Sequence, residues 1–180
     1  MRFHQDTAAE EVALSGTMDI RNAKEVEIEQ LAKLWYDGWQ DAHTSILPAE
    51  LARHRTLESF RDRLQLALPN VRVAGTIGGQ PLGLSIIRDD ELYQFYVSAN
   101  ARGSGLAAEL LADAEARLIA NGVETAWLAC AIGNERAARF YEKNGWRRVG
   151  NMTNKLETPD GLFLLEVWRY EKELPQLNRE

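Results

Sequence analysis

The sequence is poor in the residues that build disulfide frameworks and metal sites. Its 180 residues include one cysteine, Cys130, and three widely spaced histidines. A single cysteine excludes an intramolecular disulfide and is typical of a reducing cytosol. So few separated ligands also argue against a metal centre. We therefore expect a cytoplasmic protein that holds no metal.

The chain also lacks a long apolar run and an excess of positive charge. No segment approaches the length that spans a bilayer, and acidic residues occupy the N-terminal stretch where a signal peptide would be apolar. A net charge of −6 offers no basic face to nucleic acid and mildly favours a cationic substrate. The sequence therefore predicts a protein that binds neither membrane nor nucleic acid.

Length and composition predict a single domain. A hydrophobic content of 45% and a charged content of 27% are ordinary for a globular protein, and 180 residues give no reason to expect two domains. Residues 1–16 carry no long periodic pattern and end in a Ser-Gly break. We therefore expect a flexible extension at 1–16, one domain at 17–174 and a short tail at 175–180.

The hydrophobic period switches between helix and strand several times along the chain. The predicted elements are, in order, a strand at 19–22, a helix at 26–43, a helix from Ala49 or Leu57 to Leu68, strands at 71–77, 82–87 and 91–97, a helix from 106 to about 121, a strand at 123–131 buried on both faces, a helix from 134 to 145, and strands at 146–152 and 162–170. This order predicts an α/β fold, with helices on both faces of a mostly antiparallel sheet. One parallel β-α-β unit, with a right-handed crossover, is expected over residues 92–131.

A glycine-rich turn between a strand and a helix forms the first chemical motif. Its residues are Arg102, Gly103, Ser104, Gly105, Leu106, Ala107 and Ala108. Glycines let the backbone curl with its N–H groups inward, and the helix N-terminus adds partial positive charge. Such a turn can bind a pyrophosphate, although by itself it could equally serve only to reverse the chain.

Two other nucleotide-binding motifs fit this turn less well. A Walker loop requires the string G-x-x-x-x-G-K-[ST], which the chain does not contain. The dinucleotide fingerprint G-x-G-x-x-[GA] is matched formally by residues 103–108, but its first glycine lies well beyond the preceding strand. The chain after the turn is also too short for a doubly wound sheet. A nicotinamide-binding protein is therefore a distant alternative.

The second motif places a tyrosine two helical turns after an asparagine cap. Asn134 opens the helix, Tyr141 follows seven residues later, and Gly145-Trp146 ends the segment. A phenol at that position could protonate a departing thiolate. The alternative is a core tyrosine with a satisfied hydroxyl.

Together the two motifs resemble the GCN5-related N-acetyltransferase (GNAT) superfamily. The signature [QR]-x-x-G-x-[GA] matches residues 102–107, and the second signature, an asparagine followed by a tyrosine before Gly-[FW], matches residues 134–146. The likeness is specific over residues 82–149 and only general over 17–81. It implies a GNAT-like fold and transfer of an acetyl group from acetyl-CoA to a primary amine, by direct attack without an acyl-enzyme.

The resemblance also assigns roles to individual residues. It implies a bulge at Phe95, Tyr96 and Val97 whose backbone binds the acyl carbonyl and the pantetheine arm. The turn from Arg102 to Ala108 would hold the pyrophosphate, and Asn134 would touch the pantetheine. Tyr141 would reach the sulfur as the catalytic acid.

The general base is less well specified. Some relatives place a glutamate five residues before the motif asparagine, where this chain has Ala129. Others place it six residues before the bulge valine, where this chain has Glu91. Glu91 is therefore our candidate base, with a solvated turn carboxylate or a water relay as alternatives.

The acceptor side is predicted from the first helix, which borders the acceptor pocket in this family. Trp39 and His43 share a face of that helix and are candidate acceptor contacts, whereas Trp35 is expected in the core. Cys130 lies in an apolar strand with no nearby histidine, so a buried structural thiol is expected rather than a nucleophile.

Two functional classes remain open at this point. The first is an acetyltransferase acting on a free metabolite, antibiotic, polyamine or peptide; the second is a GNAT-fold module that binds acyl-CoA without turnover. Retention of Tyr141 favours the enzyme, and the alanine at position 129 keeps the alternative open. The identity of the acceptor, the length of the acyl group and the oligomeric state, including a homodimer, are not determined by the sequence.

Overall fold

A computed structural model describes residues 19–178 of the chain, so the predicted extension at 1–16 lies outside the described residues. The elements are β1 (Ile20–Asn22), α1 (Ile28–His43), α2 (Ala49–His54), α3 (Leu57–Ala67), β2 (Val71–Ala74), β3 (Gly83–Arg88), β4 (Glu91–Val97), α4 (Leu106–Ala120), β5 (Thr125–Ala131), α5 (Glu135–Lys143), β6 (Arg147–Thr158) and β7 (Gly161–Glu173). Short 3-10 turns lie at Glu25–Glu27, Leu68–Asn70 and Ala99–Ala101.

The strands form one sheet of seven in the order β1-β2-β3-β4-β5-β7-β6. Neighbouring strands are antiparallel except β4 and β5, which run parallel because α4 carries the chain back across the sheet. This topology confirms the predicted α/β fold with one parallel β-α-β unit.

The predicted second helix is two helices. Arg55 leaves helical geometry with φ −97° and ψ 64°, which ends α2. Thr56 then caps α3, because its side-chain oxygen accepts a hydrogen bond from the Ser59 amide at 3.1 Å. The sequence offered two starting points for one helix, and both are used.

The prediction of a strand buried on both faces at 123–131 is wrong. β5 begins at Thr125, and its burial alternates: Ala126, Leu128 and Cys130 are buried, whereas Trp127 and Ala129 are half-buried. An alternating pattern of this kind belongs to a strand with one packed face.

The last two strands form a longer hairpin than the apolar pattern predicted. β6 extends to Thr158 and β7 to Glu173, although the segment between them is polar. Pairing with β7 satisfies the backbone of β6, so polar side chains are tolerated on its exposed face. A cross-strand hydrogen bond from Thr153 to Glu166, 2.9 Å long, supports this extension.

The core is divided between the two faces of the sheet. On one face α1 and α3 pack on β2 and β3, through a cluster that includes Trp35, Phe60 and Leu84. On the other face α4 and α5 pack through a cluster that includes Leu111 and Tyr141. The two clusters lie on either side of the junction between β4 and β5, where the site is found.

Candidate active site

The parallel strands β4 and β5 separate soon after they meet. Their recorded register is a single pair, Glu91 with Trp127, although β4 continues to Val97 and β5 to Ala131. The carboxyl ends of the strands therefore diverge, and a cavity of about 830 Å³ opens beside them. The cavity wall brings together seven of the predicted site residues: Trp39, His43, Glu91, Phe95, Tyr96, Asn134 and Tyr141.

The glycine turn lies outside the wall of this cavity, at the N-terminus of α4. Gly103 and Gly105 have φ of +78° and +82°, a backbone region that favours glycine. Within residues 19–178, no acceptor is recorded for the amides of Gly103, Gly105, Ala107 and Ala108. Because unpaired amides at a helix N-terminus attract anions, the turn is suited to bind a pyrophosphate.

An acidic residue of α1 bridges two arginines beside the turn. Asp41 accepts from Arg102 at 2.9 Å and lies 3.4 Å from Arg136. Its hydrogen bond with Arg102 holds the pKa of Asp41 below its usual value. All three side chains are solvent-exposed, so the Arg102 charge can move to a bound phosphate at small cost.

Asn134 is fixed as the cap of α5. Its side-chain oxygen accepts from the Ala137 amide at 3.3 Å, and its carbonyl accepts from the Ala138 amide at 3.1 Å. No acceptor within the described residues is recorded for its side-chain amide, and Asn134 lines the cavity. That NH₂ group can donate to a ligand.

Tyr141 projects from α5 into an aromatic cluster. Its ring centroid lies 6.4 Å from that of Phe95 and 6.2 Å from those of Trp146 and Tyr170. Its hydroxyl makes no hydrogen bond to the part of the chain that the structure describes, and the residue lines the cavity. Burial raises the pKa of the phenol above its usual value, so the hydroxyl keeps its proton at neutral pH.

Glu91 is buried at the beginning of β4, with 7% of its surface exposed. This excludes the solvated turn carboxylate considered above. Arg88 lies 3.3 Å away, yet burial outweighs that attraction and raises the pKa of Glu91. A carboxylate with a raised pKa on a cavity wall has the properties of a general base.

Trp39 and His43 line the cavity from α1, with ring centroids 5.1 Å apart. A nitrogen of the His43 ring lies 3.1 Å from the Trp39 carbonyl, and burial lowers the pKa of His43 to about 4. His43 is therefore a neutral imidazole at pH 7. Trp35 is fully buried in the core, on the same helix.

Cys130 is buried between β5 and α5. Burial raises the pKa of its thiol to about 12, and its sulfur lies 3.8 Å and 3.9 Å from the carbonyls of Ala131 and Asn134. A thiol that stays protonated is a poor nucleophile, which agrees with a structural role.

The irregularity in β4 lies earlier than predicted. Ile86 pairs with Gln94 while Ile87 pairs with Leu92, so Tyr93 is the extra residue of the bulge. Phe95, Tyr96 and Val97 pair regularly with β3. They lie on the part of β4 that diverges from β5, and Phe95 and Tyr96 also line the cavity.

The structure adds residues that the sequence did not reveal. Gly38 allows α1 to approach β4, because a Cβ there would lie 2.6 Å from a ring carbon of Tyr96. Arg55 and Arg63 also line the cavity. A glycine inside a helical pattern could have indicated a close approach at Gly38, whereas the burial of Arg55 has no sequence signature.

None of the helices in residues 19–178 combines the length and the hydropathy that crossing a membrane requires. The same residues contain no group of three or more His, Cys, Asp or Glu side chains that could hold a metal ion.

Comparisons with known proteins agree with this geometry. A protein of Mycobacterium tuberculosis described as an uncharacterized N-acetyltransferase is 30% identical over 112 residues, which cover 62% of this chain and 72% of that protein. A GCN5-related N-acetyltransferase from Rhodopseudomonas palustris has the same fold, with a TM-score of 0.69 at 18% identity, covering 88% of this chain and 97% of that one. The PaiA N-acetyltransferase of Thermoplasma acidophilum, solved with coenzyme A, has a TM-score of 0.64 at 17% identity, covering 88% and 99%.

The family comparison settles which class of protein this is. The model of the acetyltransferase (GNAT) family matches residues 27–146, a stretch that contains α1, the glycine turn, Asn134 and Tyr141. This confirms the predicted acyltransferase and favours it over a nicotinamide-binding protein. The chain belongs to the acetyltransferase (GNAT) family.

Proposed function

We propose that this enzyme transfers the acetyl group of acetyl-CoA to the primary amine of a small molecule or peptide by direct attack. The observation that carries the proposal is the cavity at the diverging ends of β4 and β5. There the free hydroxyl of Tyr141 and the free amide of Asn134 share a wall with Glu91. The glycine turn with its unpaired amides begins the helix that follows β4.

The coenzyme is bound by backbone groups more than by side chains. The four unpaired amides of the turn and the α4 N-terminus hold the pyrophosphate, and Arg102 exchanges Asp41 for a phosphate oxygen. The pantetheine arm then lies between the diverging strands, with Asn134 donating to it. The backbone of Phe95, Tyr96 and Val97 faces the thioester.

The reaction forms one bond and breaks one. The amine nitrogen attacks the carbonyl carbon, the carbon–nitrogen bond forms and the carbon–sulfur bond breaks, giving an amide and the thiol of coenzyme A. Tyr141 supplies the proton that the departing sulfur needs, and its raised pKa ensures that the proton is present.

Glu91 is placed to accept the proton that the attacking amine must lose. A primary amine is mostly an ammonium ion at pH 7, and it must lose a proton before or during attack. Burial raises the pKa of Glu91, which makes it a stronger base than an ordinary carboxylate. Direct attack agrees with the state of Cys130, because a thiol that stays protonated is a poor nucleophile for forming an acyl-enzyme.

The proposal is tested by coenzyme binding and turnover. Calorimetry should show saturable binding of acetyl-CoA in the micromolar range, the affinity of an ordinary cosubstrate, and no heat with NAD. A panel of primary amines with thiol detection should then show release of coenzyme A that depends on the acceptor. Binding of acetyl-CoA without turnover of any amine would instead indicate a non-catalytic acyl-CoA-binding module.

A further inference from the structure

Arg55 is a buried arginine that has no anionic partner among residues 19–178. Only 6% of its surface is exposed, and it lines the cavity at the link between α2 and α3. No carboxylate of residues 19–178 is recorded within 4 Å of its guanidinium, and no hydrogen bond from that group is recorded there either. Other partly buried arginines do have partners: Arg21 lies 2.6 Å from Glu27, and Arg72 lies 2.8 Å from Asp113.

Burial of an unpaired charge destabilises a fold, so its presence requires a reason. Burial, with a contribution from the neighbouring charge of Arg63, lowers the pKa of Arg55 to about 10. The side chain is still a cation at pH 7. A site that must bind an anion can accept this cost, because the ligand supplies the missing partner.

A second arginine strengthens the positive charge of the same wall. Arg63 lies 4.4 Å above the Trp35 ring and donates to the Tyr93 hydroxyl at 2.7 Å. These contacts use the planar face of the Arg63 guanidinium and one of its N–H donors. No carboxylate of residues 19–178 lies within ion-pairing distance of this group.

The acidic residues of the cavity do not neutralise these two cations. They are Glu91, which pairs with Arg88 at 3.3 Å, and the exposed residues Asp62 and Glu157. His54 also lines the cavity, and its ring nitrogen lies 3.1 Å from Asp160. The inner wall between α2, α3 and β4 is therefore cationic, although the chain as a whole has a net charge of −6.

We propose that Arg55, assisted by Arg63, binds a carboxylate group of the amine acceptor, so that the enzyme acetylates an amine of the amino-acid type. The guanidinium fork matches a carboxylate in a bidentate geometry. This inference rests on the proposed acetyltransferase function and specifies its acceptor. It replaces the weak preference for a cationic substrate that the net charge suggested.

The position of Tyr96 connects this wall to the reacting end of the cavity. Tyr96 lines the same cavity as Arg55, Arg63 and Tyr141. Its ring packs against Gly38 of α1. An acceptor with its carboxylate on Arg55 extends along Tyr96 and presents its amine near Tyr141.

The test compares amines that differ only in the carboxylate. Series of ω-amino acids, their carboxamides and the corresponding alkylamines are assayed with acetyl-CoA, and kcat/KM is corrected for the free-base fraction of each amine. We expect the wild-type enzyme to prefer the amino acids by on the order of 10- to 100-fold, the effect of a charge-assisted hydrogen bond. Arg55→Gln should abolish that preference through KM, and Arg55→Lys should retain part of it.

Arg53 provides the matched control, because it lies two residues earlier with its side chain 64% exposed and paired to Asp160. Arg53→Gln should leave the preference unchanged. The melting temperature of Arg55→Gln should equal or exceed that of the wild type, since removal of an unpaired buried charge relieves strain. An unchanged acceptor preference in Arg55→Gln, with or without a marked fall in its melting temperature, would assign Arg55 to the fold and overturn the inference.

Further experiments distinguish a carboxylate on the acceptor from one on the acyl donor. They also distinguish failure of this inference from failure of the proposed acetyltransferase function. If Arg55→Gln impairs only reactions with succinyl-CoA, the carboxylate belongs to the acyl donor and the acceptor assignment is wrong. Turnover of amines without any preference for carboxylates would overturn the inference and leave the proposed function intact. If no amine is acetylated, the proposed function fails, and the anion site is then tested by the rise in melting temperature that 5-aminopentanoate causes in the presence of coenzyme A. A rise in the wild type that is lost in Arg55→Gln would support the anion site. No rise in the wild type would overturn both the anion site and the proposed function.

Discussion

Replacement of Tyr141 by phenylalanine separates catalysis from packing more sharply than any other change in this enzyme. The ring lies among Phe95, Trp146 and Tyr170 and remains in Tyr141→Phe. The hydroxyl has no hydrogen-bond partner within residues 19–178, so its removal breaks no bond of the fold. We therefore expect the free energy of unfolding to change by less than about 0.5 kcal/mol.

The expected loss of activity is much larger. If the hydroxyl protonates the departing thiolate, kcat should fall on the order of 10²–10⁴-fold, the usual contribution of a positioned acid. That loss corresponds to about 3–5 kcal/mol of activation free energy. The affinity for acetyl-CoA should stay within a few-fold, because the phenol acts mainly as the carbon–sulfur bond breaks. Thiol release measures kcat, and calorimetry measures the affinity.

Tyr170 supplies a control with the opposite signature. It is fully buried beside Tyr141, and its hydroxyl donates to Glu142 at 2.9 Å and accepts from Arg148 at 3.1 Å. Tyr170→Phe should cost about 1 kcal/mol of stability, a fall of about 2–4 °C in melting temperature, because both partners are partly solvated. Its turnover should remain near that of the wild type.

The two variants together decide the role of Tyr141. Wild-type turnover in Tyr141→Phe would reduce this residue to a packing element and remove the acid from the proposed mechanism. A fall in melting temperature as large as that of Tyr170→Phe would show that the hydroxyl has a structural partner, contrary to the contacts described here.

Three further predictions concern the glycine turn, Glu91 and His43. Gly105→Asp should weaken acetyl-CoA binding at least about tenfold by placing a carboxylate beside the pyrophosphate. The control is Gly122→Asp, which should leave the affinity unchanged; Gly122 has φ +79° compared with +82° for Gly105, and its Cβ position is equally open. Equal calorimetric affinities of the two variants would refute the phosphate assignment. Glu91→Gln should remove the acidic limb of the pH–rate profile, and an unchanged acidic limb would exclude Glu91 as the base. Because burial raises the pKa of Glu91, the ionised side chain destabilises the fold at neutral pH, and this variant should melt at a higher temperature there than the wild type. That difference in melting temperature should disappear below pH 4.5, where the carboxyl group is protonated in both the folded and the unfolded chain. Burial lowers the pKa of His43 to about 4, so stability present above pH 6.5 is lost as pH falls towards 4, and His43→Gln should flatten that part of the melting profile; an unflattened profile would assign the loss to other groups.

The strands of the sheet show where sequence patterns succeed and where they do not. β4 and the glycine turn were predicted with their boundaries because aromatic and β-forming residues, closely spaced glycines and a following helical stripe are local signals. The bulge was misplaced to residues 95–97, because its position at Tyr93 depends on how β3 pairs with β4. The polar half of β6 was missed because β7, and not a buried face, stabilises it.

The same division applies to the candidate site. Tyr141 and Asn134 were found because seven residues on one helix fix their relative placement. For Glu91, sequence offered two environments, and only the tertiary structure shows that this carboxylate is buried and has a raised pKa. The burial of a charged side chain depends on elements distant in sequence, which no local pattern records.

The sequence by itself determined the family, the glycine turn and the tyrosine after the asparagine cap, because each is written within a few consecutive residues. The tertiary structure alone decided the shape of the cavity and the positive charge of its wall between α2, α3 and β4. Arg55 is an ordinary arginine between two helices until α1, α3 and β4 close around it. Its isolation from every carboxylate recorded in residues 19–178 is a property of the assembled fold, since the partners that it lacks could have come from any part of the chain.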